Sequence, residues 1–529
     1  MIKKIDFLEQ IARNIRQENT KLLMELEPHS RRNVATRSSV VSEKNGEKRY
    51  IVYGDRWLIL SSCCFLALSN AMQWFSYVTL TDQMDAFYCG KTECRAAFMT
   101  NQIFQAVAVI TGLGGMYITD YFGIWISVIL GTSLNFFGSL IRLASSLPQM
   151  EESSRQYVLH SGSVMVACAQ AFFLVLPSKI AELWFPDNQR SIANVLSFVA
   201  NPAGVALATL VPSFIFQTQQ QYSSKTWKIF YYNLGMSGLA LFPFILCFFI
   251  RRSTPPTPAS ASSAHHSNPH SFFTQIWMSL SNTQFVVQML LFAFSFAGLW
   301  GFMAIVTDIL LLQGYDLQGY PTALCAIIGS ITSILAGCLA DRTKKFKEII
   351  RFCSIGFALS ALTIRIYLRH MNSSWYDPVV IFVLCSLLGA FSIPQFPIGV
   401  ELGVETTYPV QEATSSGILV LFGQLWMFVI YAIFEYGKLV KWFYTFKADS
   451  TPANWQFVLD IWCALNISAA ILSVLFLNPV YGRVELEKSA LMPANLILQT
   501  VGVDLTGRRS RRNTTDYETG TIAAKVEPN

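Results

Sequence analysis

Twelve apolar blocks, each near 20 residues long, constrain this 529-residue chain more than any other feature. They fall at about 57–80, 98–118, 123–146, 157–183, 191–216, 228–250, 283–313, 320–340, 348–368, 378–400, 413–436 and 456–478. A helix rises about 1.5 Å per residue, so each block can cross roughly 30 Å of hydrocarbon. Away from water every backbone N–H must be paired within its own segment, which makes helices the reading for blocks of this length. Only 14% of the residues are charged and 52% are hydrophobic, whereas a soluble domain carries about 25% charge. The expected fold class is therefore an all-α integral membrane protein with about twelve transmembrane helices.

The stretch after the sixth block is of another kind. Arg251-Arg252-Ser253-Thr254-Pro255-Pro256-Thr257-Pro258 is followed by small residues from Ala259 to Ala264 and then His265-His266. That composition reads as a flexible linker. It predicts an N-terminal tail over 1–56, a six-helix half over 57–250, a linker over 251–282, a second six-helix half over 283–478 and a C-terminal tail over 479–529. In the tail, Ile2, Ile5, Leu8, Ile11 and Ile15 recur at helical spacing among basic residues. They read either as an amphipathic helix on the membrane surface or as a loosely ordered segment.

Lys and Arg orient the chain. They crowd the N-terminal tail, the loop after the eighth block (Arg342, Lys344, Lys345 and Lys347) and the C-terminal tail (Arg508, Arg509, Arg511 and Arg512). An even number of spans places all of these on one side, so both termini are expected in the cytoplasm of a multi-pass protein, of the plasma membrane rather than an endomembrane. Asn372-Ser373-Ser374 then lies in an outside loop as a glycosylation sequon. Cys89 and Cys94 share the first outside loop and are read as a disulfide or as two free thiols. Most of the eleven Cys lie in apolar blocks, where Cys behaves as a small hydrophobe.

The formal net charge of +6 sits in the tails and a few loops, not in a stripe for nucleic acid. The chain has no His/Cys metal spacing, nucleophile elbow or phosphate loop. It is not expected to be an enzyme or to bind a metal or a cofactor. The expected partners are a small solute and the lipid bilayer, and a monomer is expected.

Two loops repeat across the halves. One reads Gly115-Met116-Tyr117-Ile118-Thr119-Asp120-Tyr121-Phe122-Gly123, the other Gly337-Cys338-Leu339-Ala340-Asp341-Arg342-Thr343-Lys344-Lys345. Each puts an Asp at the end of an even-numbered span, before a very short turn. This matches the parallel two-half plan of major facilitator carriers. A carboxylate there can bond helix N-terminal N–H groups or basic residues of the other half. Asp120, Asp341 and Arg342 are the candidate gate. No basic residue follows Gly123; Trp125 stands in that place.

Specific strings then carry a family resemblance. Ser69-Asn70-Ala71-Met72-Gln73-Trp74, the run Leu176-Pro177-Ser178-Lys179-Ile180-Ala181-Glu182-Leu183-Trp184-Phe185, and Glu405-Thr406-Thr407-Tyr408-Pro409 with Glu412-Ala413-Thr414-Ser415-Ser416-Gly417 resemble the FLVCR family, or solute carrier family 49, of the major facilitator superfamily. The resemblance runs from about residue 56 to 480. Ala181–Arg190, Asn201–Gly204 and Asp341–Lys344 look most like its major facilitator superfamily domain-containing protein seven branch. It implies transport of a small organic cation, choline-like or ethanolamine-like, by alternating access. Haem or a vitamin, carried with or without protons, and a non-transporting receptor or sensor stand as alternatives.

The resemblance also implies a site. Trp74 matches an aromatic of the family pocket, and Trp300 stands where the choline-carrying relatives have Tyr. Gln170 and Gln424 match two pocket amides, and Asn70 lies one turn before Trp74. A quaternary ammonium has no N–H to donate, so aromatic faces hold it through the ring quadrupole. Two charges inside blocks complete the set. Asp308 is read either as a coupling carboxylate or as a water-facing residue at the outer end. Arg142 is expected to snorkel to the outer surface. Glu182, Glu401, Glu405 and Glu412 gather at cytoplasmic span ends as gate or scaffold residues.

Overall fold

The computed structural model describes residues 43–44, 47–48, 52–90, 94–216, 222–259, 271–371, 374–437 and 455–485. The N-terminal amphipathic pattern and Asn372 lie outside the described residues. Apart from a two-rung antiparallel hairpin pairing Glu43–Lys44 with Glu47–Lys48, the described elements are helices. Twelve are long and apolar enough to cross a membrane: span one Asp55–Tyr88, two Ala96–Tyr121, three Gly123–Ser145, four Glu152–Trp184, five Arg190–Ile215, six Trp227–Cys247, seven Thr283–Leu312, eight Tyr320–Thr343, nine Phe346–His370, ten Asp377–Thr407, eleven Glu412–Tyr436 and twelve Trp455–Phe476. Twelve spans put the start of span one and the end of span twelve on one face of the bundle, called here the tail side; the opposite face is the far side.

The three spans longer than 30 residues are one, four and ten, and each is broken. Span one is helical over Asp55–Phe75 and resumes through a short turn before Thr81–Tyr88. Span four changes course between Glu152–Phe173 and Leu176–Trp184, span ten between Asp377–Ser392 and Gln395–Thr407. Pro177, Pro394 and Pro397 explain the last two, because proline has no N–H to donate and its ring collides with the carbonyl four residues back. Irregular backbone at such depth persists only where protein or a cavity covers it.

The halves meet chiefly through spans two and eleven and spans five and eight. Within each half the helices approach closely at glycine. A Cβ on Gly204 would enter the Leu68 carbonyl, and one on Gly389 the Cys325 carbonyl. With lipid as apolar as any side chain, such backbone-to-backbone packing is what binds membrane helices together.

The linker differs from its expected flexibility at both ends. The Ser253 hydroxyl accepts from Trp125 N at 3.0 Å, and its carbonyl accepts from Trp184 Nε1 at 3.1 Å. Residues Phe272–Ser281 form a helix with Ser271 as its cap. Phe273 and Trp277, one turn apart, are 78% and 73% exposed. That exposed aromatic edge suits the boundary between headgroups and acyl chains. The apolar periodicity of 272–281 was there to be read, but the Pro- and Ser-rich start of the linker masked it. At the other terminus, residues 481–485 fold back against the bundle, so the C-terminal tail begins as docked structure.

Candidate functional site

Between the halves lies a small cavity, lined among others by Trp74, Gln170, Trp300 and Gln424. The breaks place it: Trp74 lies just before the break in span one, while Phe173, Leu174, Pro177, Ile393, Phe396 and Pro397 flank those in spans four and ten and line the same space. Trp74 from one half meets Trp300 from the other with ring centroids 5.6 Å apart at 69°. Phe296 extends the aromatic wall, 6.5 Å from Trp300 and 5.4 Å from Phe396. Phe292, Phe296 and Trp300 recur every four residues, a helical stripe that the sequence displayed and that the reading of Trp300 alone passed over.

No lining residue is charged. The Oε1 atoms of Gln170 and Gln424 and the Nε1 of Trp74 are buried and make no hydrogen bond. Two amide acceptors and one indole donor thus stand ready in a wall that, apart from Ser197 and Asn201, is otherwise aromatic and aliphatic. Such a wall can hold a cation by its ring faces and a hydroxyl or N–H by the amides, without the cost of burying a fixed charge.

Asn70 is placed elsewhere. Its Nδ2 donates to Asn135 Oδ1 at 3.0 Å and to the Val166 carbonyl at 2.9 Å, inside the N-terminal half. The four residues from Asn70 to Trp74 carry the helix about 40° past a full rotation, and here Asn70 meets span three while Trp74 faces the cavity. Arg142 also departs from its expected place. It is 1% exposed, donates to the Gln73 carbonyl at 2.8 Å and to Ser76 Oγ at 2.9 Å, and lies over the ring of Tyr77. The break in span one offers it a carbonyl in the interior, which outweighs a reach for the surface.

On the tail side both repeated Asp residues cross between the halves. Asp341, at the end of span eight, accepts from Ser191 N at 3.1 Å and Ile192 N at 2.9 Å, the first turn of span five. A helix N-terminus is a natural seat for a carboxylate. Asp120, at the end of span two, accepts from Thr414 Oγ1 of span eleven at 2.6 Å. Lys179 of span four supplies the cation that the loop after Asp120 lacks, at 3.3 Å. The same ammonium reaches Glu182 at 3.3 Å and Glu412 of the other half at 3.9 Å. Asn194 of span five donates to Glu401, and Arg483 is paired with both Glu401 and Glu405.

Arg342 is exposed and is not drawn into this network. Its neighbour Asp341 points inward, and about 100° around the helix Arg342 faces away. Lys179, Asn194 and Arg483 were not singled out from sequence. Lys179 lies within the quoted family string, a cation in an apolar block, and that was the available signal.

On the far side the contacts are lighter. Arg95, held at φ 48° just before span two, pairs with Glu435 of span eleven at 3.0 Å. Phe98 stacks near Tyr431 at 5.3 Å, and Gly319 N donates to Ser213 Oγ at 3.3 Å. Cys89 and Cys94 are joined by a disulfide beside Arg95. Asp308 is half-buried and sits with Glu435 and Asp85 near the Tyr431 hydroxyl, at the outer end of the bundle. Among the described residues no cluster of His, Cys, Asp or Glu is arranged to hold a metal ion.

Two halves with broken helices, a cavity between them and polar contacts across both faces match the two-repeat plan of a solute carrier. The sequence profile of the Major Facilitator Superfamily matches residues 59–431. Solute carrier family 49 member A3 of Xenopus tropicalis is 32% identical over 84% of this chain and 91% of its own length. The choline/ethanolamine transporter flvcr2a of Danio rerio is 24% identical over 75% of this chain and 83% of its own. The proton:xylose symporter XylE shares the fold, with a TM-score of 0.63 and 16% identity over 83% of this chain and 99% of its own. The chain belongs to the major facilitator superfamily and, within it, to solute carrier family 49, the FLVCR family.

Proposed function

We propose that this transporter carries a small organic cation, choline-like or ethanolamine-like, by alternating access. The observation that carries the reading is the pair Trp74 and Trp300, one ring from each half, 5.6 Å apart at the cavity wall. A desolvated cation against such faces gains about 2 kcal/mol or more per contact. The unpaired Oε1 atoms of Gln170 and Gln424 suit the hydroxyl of choline and the hydroxyl or ammonium of ethanolamine. The names of the FLVCR relatives support the same substrate class. A haem-like dicarboxylate is disfavoured, since no basic side chain lines the cavity to meet its charges.

Asp120 and Asp341 act in this reading as the tail-side gate, holding it shut until the halves rock. The tail side is the cytoplasm, given the Lys and Arg it carries, and Asn372 is the glycosylated outer residue. An inside-negative potential, worth about 2.3 kcal/mol per charge per 100 mV, drives uptake of a monovalent cation without a coupled ion. Uptake of labelled choline and ethanolamine by cells expressing the chain tests the proposal. Uptake above that of empty cells, lost in Trp74→Ala, is the expected result. Uptake equal to empty cells, or untouched by Trp74→Ala, would sink it.

A further inference from the structure

Span two turns one face to span eleven of the other half. Phe98, Gln105, Gly112 and Met116 recur at intervals of seven, seven and four, and with about 100° of rotation per residue they fall on a single stripe. Three of them are fixed by contacts: Phe98 against Tyr431 at 5.3 Å, Gly112 against Leu421 and Met116 against Gly417. Gln105 therefore lies in the seam where the halves meet, between two points of contact. Asn101, one turn nearer the far side, falls on the same face.

Gln105 is 0% and Asn101 1% exposed. Both the oxygen and the nitrogen of each amide lack a hydrogen-bond partner. Buried amides with a packing role are partnered, as Asn70 and Asn135 are partnered with each other. Two unpartnered ones in a seam that parts during rocking destabilise this state, a cost relieved when the seam opens. Gln105 is also at the right depth. It lies 16 residues from the tail-side end of span two at Tyr121, and Trp300 lies 17 from that of span seven at Thr283, so both stand about 25 Å in. Farther out, Asp85, Asp308 and Glu435 act on Tyr431 near the mouth, with Arg95 paired to Glu435.

We propose that Gln105 and Asn101 form a polar subsite on the far-side approach to the cavity, taking the hydroxyl or N–H end of the solute as the halves part. The amide oxygen accepts from a hydroxyl or an ammonium N–H, and the amide nitrogen donates to a hydroxyl oxygen. A solute would pass the charged mouth and then meet Asn101 and Gln105 beside the aromatic wall. This subsite rests on the organic-cation reading above.

The test is uptake kinetics of Gln105→Leu and Asn101→Leu with three probes. Choline offers a hydroxyl, ethanolamine a hydroxyl and N–H groups, and tetramethylammonium neither. Leu keeps the volume and removes the unpaired amide, and Gln105→Met serves where the Leu variant fails to reach the membrane. The expected result is a KM raised about tenfold for ethanolamine and choline with that of tetramethylammonium unchanged. An unchanged KM for all three, or an equal loss of maximal rate for all three, would overturn the subsite by leaving the amides a packing role. Wild-type protein that carries none of the three would overturn the organic-cation reading itself, and the subsite with it.

Discussion

Trp74 and Trp300 are the residues on which affinity should turn. Trp74→Ala removes one ring face worth about 2 kcal/mol, or about thirtyfold in affinity. Thirtyfold higher KM for choline is the expected uptake result, and Trp74→Phe should recover most of it. Trp300→Tyr keeps a ring face and should keep transport. Arg142 acts at one remove. It ties the carbonyl of Gln73 and the hydroxyl of Ser76 at the break beside Trp74. Arg142→Met should cost about 2 kcal/mol of stability through those lost charged hydrogen bonds, read in thermal melts. It should also weaken substrate binding by loosening the indole. Arg142→Lys should rescue only partly, because the ammonium lacks the planar fork of the guanidinium and its face cannot lie over Tyr77 in the same way. Of the residues read from sequence, Trp74, Gln170, Trp300 and Gln424 do line one cavity, while Asn70 does not. Identity and spacing place a residue on a helix, but which neighbour its face meets depends on helices far away in sequence.

At the scale of elements, the proposed gates are helix ends. Asp341 seats on the first turn of span five, and Asp120 is bonded to the start of span eleven. Arg95 and Glu435 bridge the same two halves at the opposite end. Loss of either set should tilt the carrier, and in opposite senses. Asp341→Ala removes two charge-assisted bonds, so the tail side should open more readily by about 2 kcal/mol, a shift of about thirtyfold. A cysteine placed in the tail-side half of the cavity should then label faster from that side. Arg95→Ala should give the reverse labelling pattern and a smaller effect, since an exposed pair is worth about 1 kcal/mol or less. Labelling that moves the same way in both variants would refute this assignment of the gates. The Asp repeat was legible because its signal is local: an Asp, a span end, a short turn, twice. The partner Lys179 was not, because it comes from another span and replaces a base that the loop itself lacks.

For the whole molecule, the proposed cation transport through a cavity with no charged residue among its described lining is expected to follow the membrane potential. Collapse of the potential should reduce accumulation of a monovalent cation, by up to about fiftyfold for each 100 mV removed. Asp308→Asn should raise KM modestly, most at low ionic strength, by weakening attraction at the mouth. It should leave the pH profile of uptake unaltered. A pH dependence abolished by Asp308→Asn would instead make that carboxylate a proton-coupling group. The number of spans and the two-half plan were determined by the sequence alone, because hydrocarbon thickness and backbone pairing act on each segment separately. What only the tertiary structure decided is how the buried polar groups are matched: Arg142 to a broken helix, Arg483 to Glu401 and Glu405, Gln105 and Asn101 to no hydrogen-bond partner. In a medium without water a polar group takes whatever partner the folded bundle brings within reach, and that partner is set by contacts across the chain rather than by the pattern along it.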